Sequence, residues 1–287
     1  MNPYSISQEK LPELCRQVRR DIVRMVHAVN SGHPGGSLGC AEFFTALYGS
    51  IMKHDPSSFN MDGIGEDIFI LSNGHISPVW YSILARTGYF PVSELATFRK
   101  LDSRLQGHPA TAEHLEGVRV ASGSLGQGLS VALGAALAKK LNGDDRRVFT
   151  LHGDGELQEG QIWEAALAAP NLKADNLICT VDWNGRQIDG DTEKVMPLGD
   201  LKAKFEAFGW LVFVIEKGND LAEVTAGLQR AVEASGKGRP VMNLMRTEMG
   251  AGVDFMMGTH KWHGVAPNDE QLQSALAQLQ ETSFGDY

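Results

Sequence analysis

The 287-residue sequence predicts an α/β fold of three layers, a mostly parallel sheet with helices on both faces. Two observations carry this. Short apolar runs, IFIL (68–71), VFTL (148–151), LICTV (177–181), 211–215 and 241–245, alternate with segments of helical periodicity. Four polar clusters follow such runs: SNGH after 71, HGDG after 151, DWNG after 181 and GTHKWHG beyond 245. In a parallel sheet these positions share one edge, where ligands bind beyond the carboxyl ends of the strands.

Taken in order, Leu11, Leu14, Val18, Ile22, Met25 and Val29 recur every three or four residues, which lays one apolar stripe along a helix over 11–29. SGHPGGS should end it, since Gly32, Pro34, Gly35 and Gly36 are poor helix formers. A helix over 39–50 and a polar connection at 53–66 lead to the first strand. Ser77-Pro78 reads as an N-cap with proline at N1, opening a helix over 78–87. A short helical piece at 93–99 and a loop at 104–110 precede the glycine-rich turn at 123. That turn feeds a small-residue helix over 126–141, in which Gly128 and Gly134 are costly unless something packs closely on them. Further helices are expected at 157–168, 200–208, 221–234 and 269–280. Phe43, Phe44, Phe69, Phe205 and Phe208 read as core, and Trp183 as packing that stiffens its loop. No repeat or low-complexity linker divides the chain, so one domain over 1–287 is expected.

Composition narrows the function. The chain is 43% hydrophobic with a formal charge of −9, which suits a soluble globular protein and disfavours a general nucleic-acid binder. No run approaches the roughly 18–20 apolar residues of a membrane span, and no secretion signal is visible at the start. Cys15, Cys40 and Cys179 lack zinc spacing and read as reduced and buried, consistent with a cytoplasmic location. His27, His54 and His114 read as surface or structural histidines, and His152 receives no role.

The edge clusters carry the chemistry. Asp154 and Asn184 offer hard oxygen ligands, and two side chains suit an ion that completes its shell from phosphate and water, as Mg2+ does. Neighbouring glycines let backbone N–H groups approach an anion, and a helix beginning near 157 would add more. A diphosphate with a divalent ion is the ligand these residues suggest.

G153-D154-G155, with N184 thirty residues after the aspartate, resembles the thiamine diphosphate signature. SGHPGGS (31–37), SNGH (72–75), QGHP (106–109), GQG (126–128) and GTH (258–260) are similar to transketolase blocks in their expected order. The resemblance spans the chain but covers only the amino-terminal, diphosphate-binding (PP) half of a full transketolase. It implies a thiamine diphosphate-binding PP fold and transfer of a two-carbon ketol unit from a ketose to an aldose, as in the pentose phosphate reactions.

It also implies roles. Asp154, the side chain of Asn184 and the backbone oxygen of Arg186 would hold Mg2+, for which Ca2+ or Mn2+ could substitute. His75, Gly123, Ser124, Leu125, Gly155, Asn184 and His260 would contact the cofactor. His33, His108 and His260 would handle the sugar hydroxyls, with His263 a weaker choice than His260. Glu159 would join an acidic network where two subunits meet. The family's pyrimidine-binding (Pyr) domain, with its catalytic glutamate, and its C-terminal domain are expected on a separate chain, in an α2β2 assembly contacting the helix at 126–138. The chain alone should be inactive. Alternatives are a non-catalytic PP-domain protein, a 1-deoxyxylulose-5-phosphate synthase fragment, a subunit specialised for a branched or sulfonated sugar, and an E1 α-type subunit of a 2-oxo acid dehydrogenase. A nucleotide-binding module is disfavoured because the GxxxxGK[ST] loop is absent.

Overall fold

The computed structural model describes residues 6–287. Its first long helix, α1 (Leu11–Ala28), buries Leu14, Val18, Ile22 and Met25 along the expected stripe. Helices α2 (Pro34–Gly39) and α3 (Ala41–Ala46) follow, and the chain then widens into a π turn at Leu47–Ile51. Strand β1 (Ile68–Leu71) leads through a 3-10 turn, Gly74–Ile76, into α4 (Ser77–Arg86). A 3-10 segment, Val92–Thr97, stands where the helical piece at 93–99 is predicted. After the glycine turn come α5 (Gly128–Leu141), β2 (Val148–Gly153), α6 (Gly160–Asn171) and β3 (Leu177–Trp183). A small antiparallel hairpin, β4 (Arg186–Gln187) with β5 (Gly190–Asp191), precedes α7 (Thr192–Val195) and α8 (Leu201–Phe208). Strand β6 (Leu211–Ile215), α9 (Leu221–Ala234), β7 (Val241–Arg246) and α10 (Asp269–Gln278) complete the order.

The main sheet runs β1-β2-β3-β7-β6, and every pairing in it is parallel. Alternate strand residues feed two separate cores. Phe69, Leu71, Phe149, Leu151 and Ile178 join α1, α3, α4 and α9 on one face. Ile70, Val148, Leu177, Cys179 and Leu244 join α5, α6 and α8 on the other. With both faces covered, β1, β2, β3 and β7 read as continuous apolar runs rather than alternating ones. The edge strand β6 stays partly exposed. The five phenylalanines lie in these cores or against them, and all three cysteines are buried and free.

Four local expectations are corrected. The first helix does end ahead of SGHPGGS, but PGGSLG is itself helical: Pro34 sits at N1, where its missing N–H costs nothing, and packing requires the glycines. A Cβ on Gly35 would stand 2.6 Å from Met249 Cγ and 2.8 Å from the Trp262 carbonyl oxygen. Ser77 lies inside α4 and donates to the Gly107 carbonyl at 2.8 Å instead of capping, because the 3-10 turn before it already sets the entry. The helix placed near 157 begins at Gly160, with a separate 3-10 turn, Gly155–Gln158, ahead of it. In α5, close packing explains Gly128, whose Cβ would collide with Ser72, but not Gly134, which has open space beside it.

Candidate active site

The carboxyl ends of β1, β2, β3 and β7 converge on a cavity of about 360 Å³. Its lining includes Asn73 and His75 after β1, Asp154 and Gly155 after β2, and Asn184 and Arg186 after β3. His33 enters from the α1–α2 connection, Gly123 and Leu125 from the glycine turn, and His263 from the segment beyond β7.

One end of the cavity is anionic and tightly bonded. Asp154 is 1% exposed; its Oδ1 accepts from the Gly155 N–H at 2.8 Å and its Oδ2 from the Gly185 N–H at 2.7 Å. Burial, and then the charge of Asp182, push the Asp154 carboxyl up to about 7 against the pull of those backbone donors. Asp182 is also raised by burial, although Thr247 and Asn184 donate to it. Asn184 donates through Nδ2 to Asp182 at 2.8 Å and accepts at Oδ1 from the Arg186 N–H at 2.8 Å. Two buried carboxylates that resist a shared negative charge are what a bound cation relieves.

The donor set there is all oxygen and therefore hard. Among the described residues no group of three or more His, Cys, Asp and Glu is arranged as a metal cage. The set therefore fits an ion that shares its shell with a phosphate, as Mg2+ does. Gly155 provides close approach, since a Cβ there would stand 3.0 Å from Gln187 Cβ. The Arg186 side chain pairs with Asp191.

Three imidazoles, His33, His75 and His263, line the other side, and His108 borders it. The His33 ring lies 5.1 Å from His75, 5.7 Å from His263 and 6.3 Å from His108, and His75 stacks on His263 at 5.1 Å. Burial holds His33 down to about 4, helped by repulsion from His263 and His108 in their protonated forms and from Arg99. Burial also lowers His75, His108 and His263. Each therefore favours its neutral form more than a free imidazole does, which suits exchange of hydrogen bonds and protons with hydroxyl groups. His33 Nδ1, His263 Nδ1 and Asn73 Oδ1 are buried without a hydrogen-bond partner.

Most predicted site residues meet here, with exceptions. His260 lines a neighbouring depression with Lys261, Trp262 and Val265, separated from the main cavity by Ile188, which borders both. The two histidines of this motif are placed differently: with the 3-10 turn His260–Trp262 between them, the His263 ring packs against His75 and His33 while His260 lines the neighbouring depression. Ser124 is exposed and outside the lining, while Glu159 stands at the exposed rim. His108 borders the site beside Gly123, where a Cβ would stand 3.1 Å from its ring.

Two buried acids carry weight that the sequence did not assign. Asp182 anchors Asn184, and Glu156 bonds to three segments around the cavity. Their signal was position alone, an acid at or just beyond a strand end, which turn acids share. His152 is structural: its Nε2 lies 3.1 Å from Thr150 Oγ1 and its Nδ1 3.6 Å from Glu156 Oε2. His54 is buried against Tyr89 and the Tyr48 carbonyl, His27 pairs with Asp269, and His114 is exposed. Arg246 covers the Trp183 ring at 3.9 Å, which braces the loop that carries Asn184. Among the described residues no helix is long and apolar enough to cross a membrane.

Comparison with known proteins gives the family. Residues 11–282 match the family described as transketolase, thiamine diphosphate binding domain. A protein of Actinobacillus succinogenes named as one of the subunits of apulose-4-phosphate transketolase is 38% identical over 282 residues, covering 98% of this chain and 100% of that protein. The 6-deoxy-6-sulfo-D-fructose transketolase subunit SqwG of a Clostridium species is 37% identical, covering 96% of this chain and 98% of its own. The solved transketolase of Leishmania mexicana superposes with a TM-score of 0.87 at 30% identity, over 98% of this chain and 42% of that one. With these matches beside the cavity at the sheet edge, the chain belongs to the transketolase family and carries its thiamine diphosphate-binding domain over residues 11–282.

Proposed function

We propose that the chain is the diphosphate- and metal-holding subunit of a two-subunit transketolase, moving a two-carbon ketol unit from a ketose to an aldose. The observation that carries this is one cavity lined both by hard oxygen donors and by three imidazoles, His33, His75 and His263, with His108 at its border. Asp154, Asn184 and the Arg186 carbonyl would hold Mg2+, and Gly155, Gly123, Leu125 and His75 would border the cofactor. When bound, thiamine diphosphate supplies the electron sink for breaking and remaking a carbon–carbon bond beside a carbonyl. The protein's own part is orientation and proton traffic. His33, His108 and His263 donate to and accept from sugar hydroxyls, and their preference for the neutral form lets each do either.

Relatives named as subunits, matched along their whole length, support a separate partner chain carrying the Pyr domain and its glutamate. An α2β2 assembly places the cofactor between unlike chains. A second reading, a dedicated unusual sugar as substrate, draws on the apulose-4-phosphate and sulfofructose named in those relatives. Reconstitution with the partner, Mg2+ and thiamine diphosphate tests both. Ketol transfer is expected only with all components present, and branched, sulfonated and ordinary ketose phosphates are offered in parallel. Full turnover by the isolated chain, or decarboxylation of 2-oxo acids instead, would overturn the proposal.

A further inference from the structure

We propose that Glu156 is a positioning residue for the cofactor, its buried carboxylate fastening three segments of the chain into the cradle that receives thiamine diphosphate. The inference rests on the functional reading above. Glu156 is 2% exposed, and its carboxylate meets hydrogen-bond donors from three segments, with His152 Nδ1 a further 3.6 Å from Oε2. Its Oε1 accepts from the Ser72 hydroxyl and from the Gly126 N–H at 2.8 Å, and its Oε2 accepts from the Gly153 N–H at 3.1 Å. Ser72 Oγ in turn accepts from the N–H of Gly128, the first residue of α5, at 3.1 Å. One carboxylate and one hydroxyl therefore tie the end of β1, the glycine turn and the end of β2 together.

The chemistry explains why an acid stands there. A carboxylate offers two acceptor oxygens and no donor, which matches three converging O–H and N–H groups. A glutamine would turn a donor toward one of them, and an apolar residue would leave all three buried and unpaired. The turn has particular need of a fastener. Gly126 has φ +85° and Gly128 leaves no room for a Cβ beside Ser72, so the turn depends on glycines, whose freedom must be given up on ordering. Gly123 and Leu125 of that turn line the cavity, as do Gly153 and Gly155 across from it. Glu156 thus fixes the distance between the walls that bracket the diphosphate, without being one of the proposed metal ligands.

The test uses the full chain as wild type, Glu156→Gln, Glu156→Leu and Ser72→Ala, alone and assembled with its partner. Three quantities are read: the Tm, hydrogen–deuterium exchange of segments 72–76, 123–128 and 152–156 without cofactor, and the Kd for thiamine diphosphate in excess Mg2+. Glu156→Gln keeps two acceptor contacts, so a near-wild-type Tm, faster exchange in 123–128 and a Kd raised about tenfold are expected, one buried donor having lost its partner. At saturating cofactor its kcat should return toward wild type, which separates placement from chemistry. Ser72→Ala should act in the same direction and less than additively with Glu156→Gln. A lowered Tm with unchanged Kd in the folded fraction would mark a purely structural residue and overturn the proposal. Wild-type exchange and affinity in both Glu156 variants would overturn it as well. Absence of cofactor binding by the wild-type assembly would sink the functional reading itself, and is distinguishable because it appears before any substitution.

Discussion

The two ends of the cavity are built in opposite ways. At the acidic end every carboxylate oxygen of Asp154 and Asp182 already has a donor from the backbone or a neighbouring side chain. At the histidine end buried ring nitrogens of His33 and His263 have none. A fully bonded pair of acids is rigid and keeps one geometry for an ion. Unpaired imidazoles are held by packing and leave their bonding capacity for something that enters. On the proposed function, one end retains its ligand and the other exchanges it.

The contrast is broken most directly at Asp154. Asp154→Ala should weaken metal-dependent cofactor binding by about a hundredfold or more, since even outer-shell partners of metal ligands cost about 10–100-fold. Calorimetry of the assembled complex checks this, and unchanged affinity would remove the metal assignment. At the other end, His33→Ala and His108→Ala should lower kcat by about a hundredfold, the lower range for a positioned proton-transfer group, with cofactor affinity held within a few-fold. Loss of cofactor equal to that of Asp154→Ala would erase the distinction between the ends.

A finer test compares two neighbours. His263→Ala should cut turnover more than His260→Ala, because His263 is the one packed against His33 and His75. Equal effects in steady-state kinetics would restore His260 to the channel. The pH dependence of stability sharpens the same contrast. His33 titrates at 6.5 when exposed and about 4 in the fold, so the unfolded chain binds the extra proton between those values. Stability should therefore fall as pH drops from 6.5 toward 4, and His33→Asn should flatten part of that slope in thermal melts. The smallest effect belongs to Arg186→Ala. Its proposed ligand is a carbonyl and its side chain pairs with Asp191, so metal affinity should stay within a few-fold.

Where sequence reasoning succeeded or failed follows the range of the interactions involved. The strand runs and the clusters behind them were legible because a parallel strand buried on both faces must be apolar and must end in polar groups at the ligand edge. Helix α1 was legible from its stripe. The helix at Pro34–Gly39 was not, because glycine propensity was overruled by contacts with Met249 and Trp262 more than two hundred residues away. Glu156 looked like one more turn acid, and only the meeting of β1, β2 and the glycine turn gives it partners. His260 and His263 share one short motif, and a single 3-10 turn decides which ring joins the cluster.

By itself, then, the sequence determined the α/β class, the identity of the strands, the edge on which the chemistry gathers and the residue types able to hold a diphosphate with its metal. Those features depend on local pattern: apolar period, glycine at turns, and oxygen or imidazole at strand ends. Tertiary structure alone decided the strand order β1-β2-β3-β7-β6, the packing of His263 against His75, the lowered proton affinity of the imidazoles and the linking contacts of Glu156. Each of these depends on which distant segments come within a few ångströms and how much water they exclude, and that is set by packing across the whole chain.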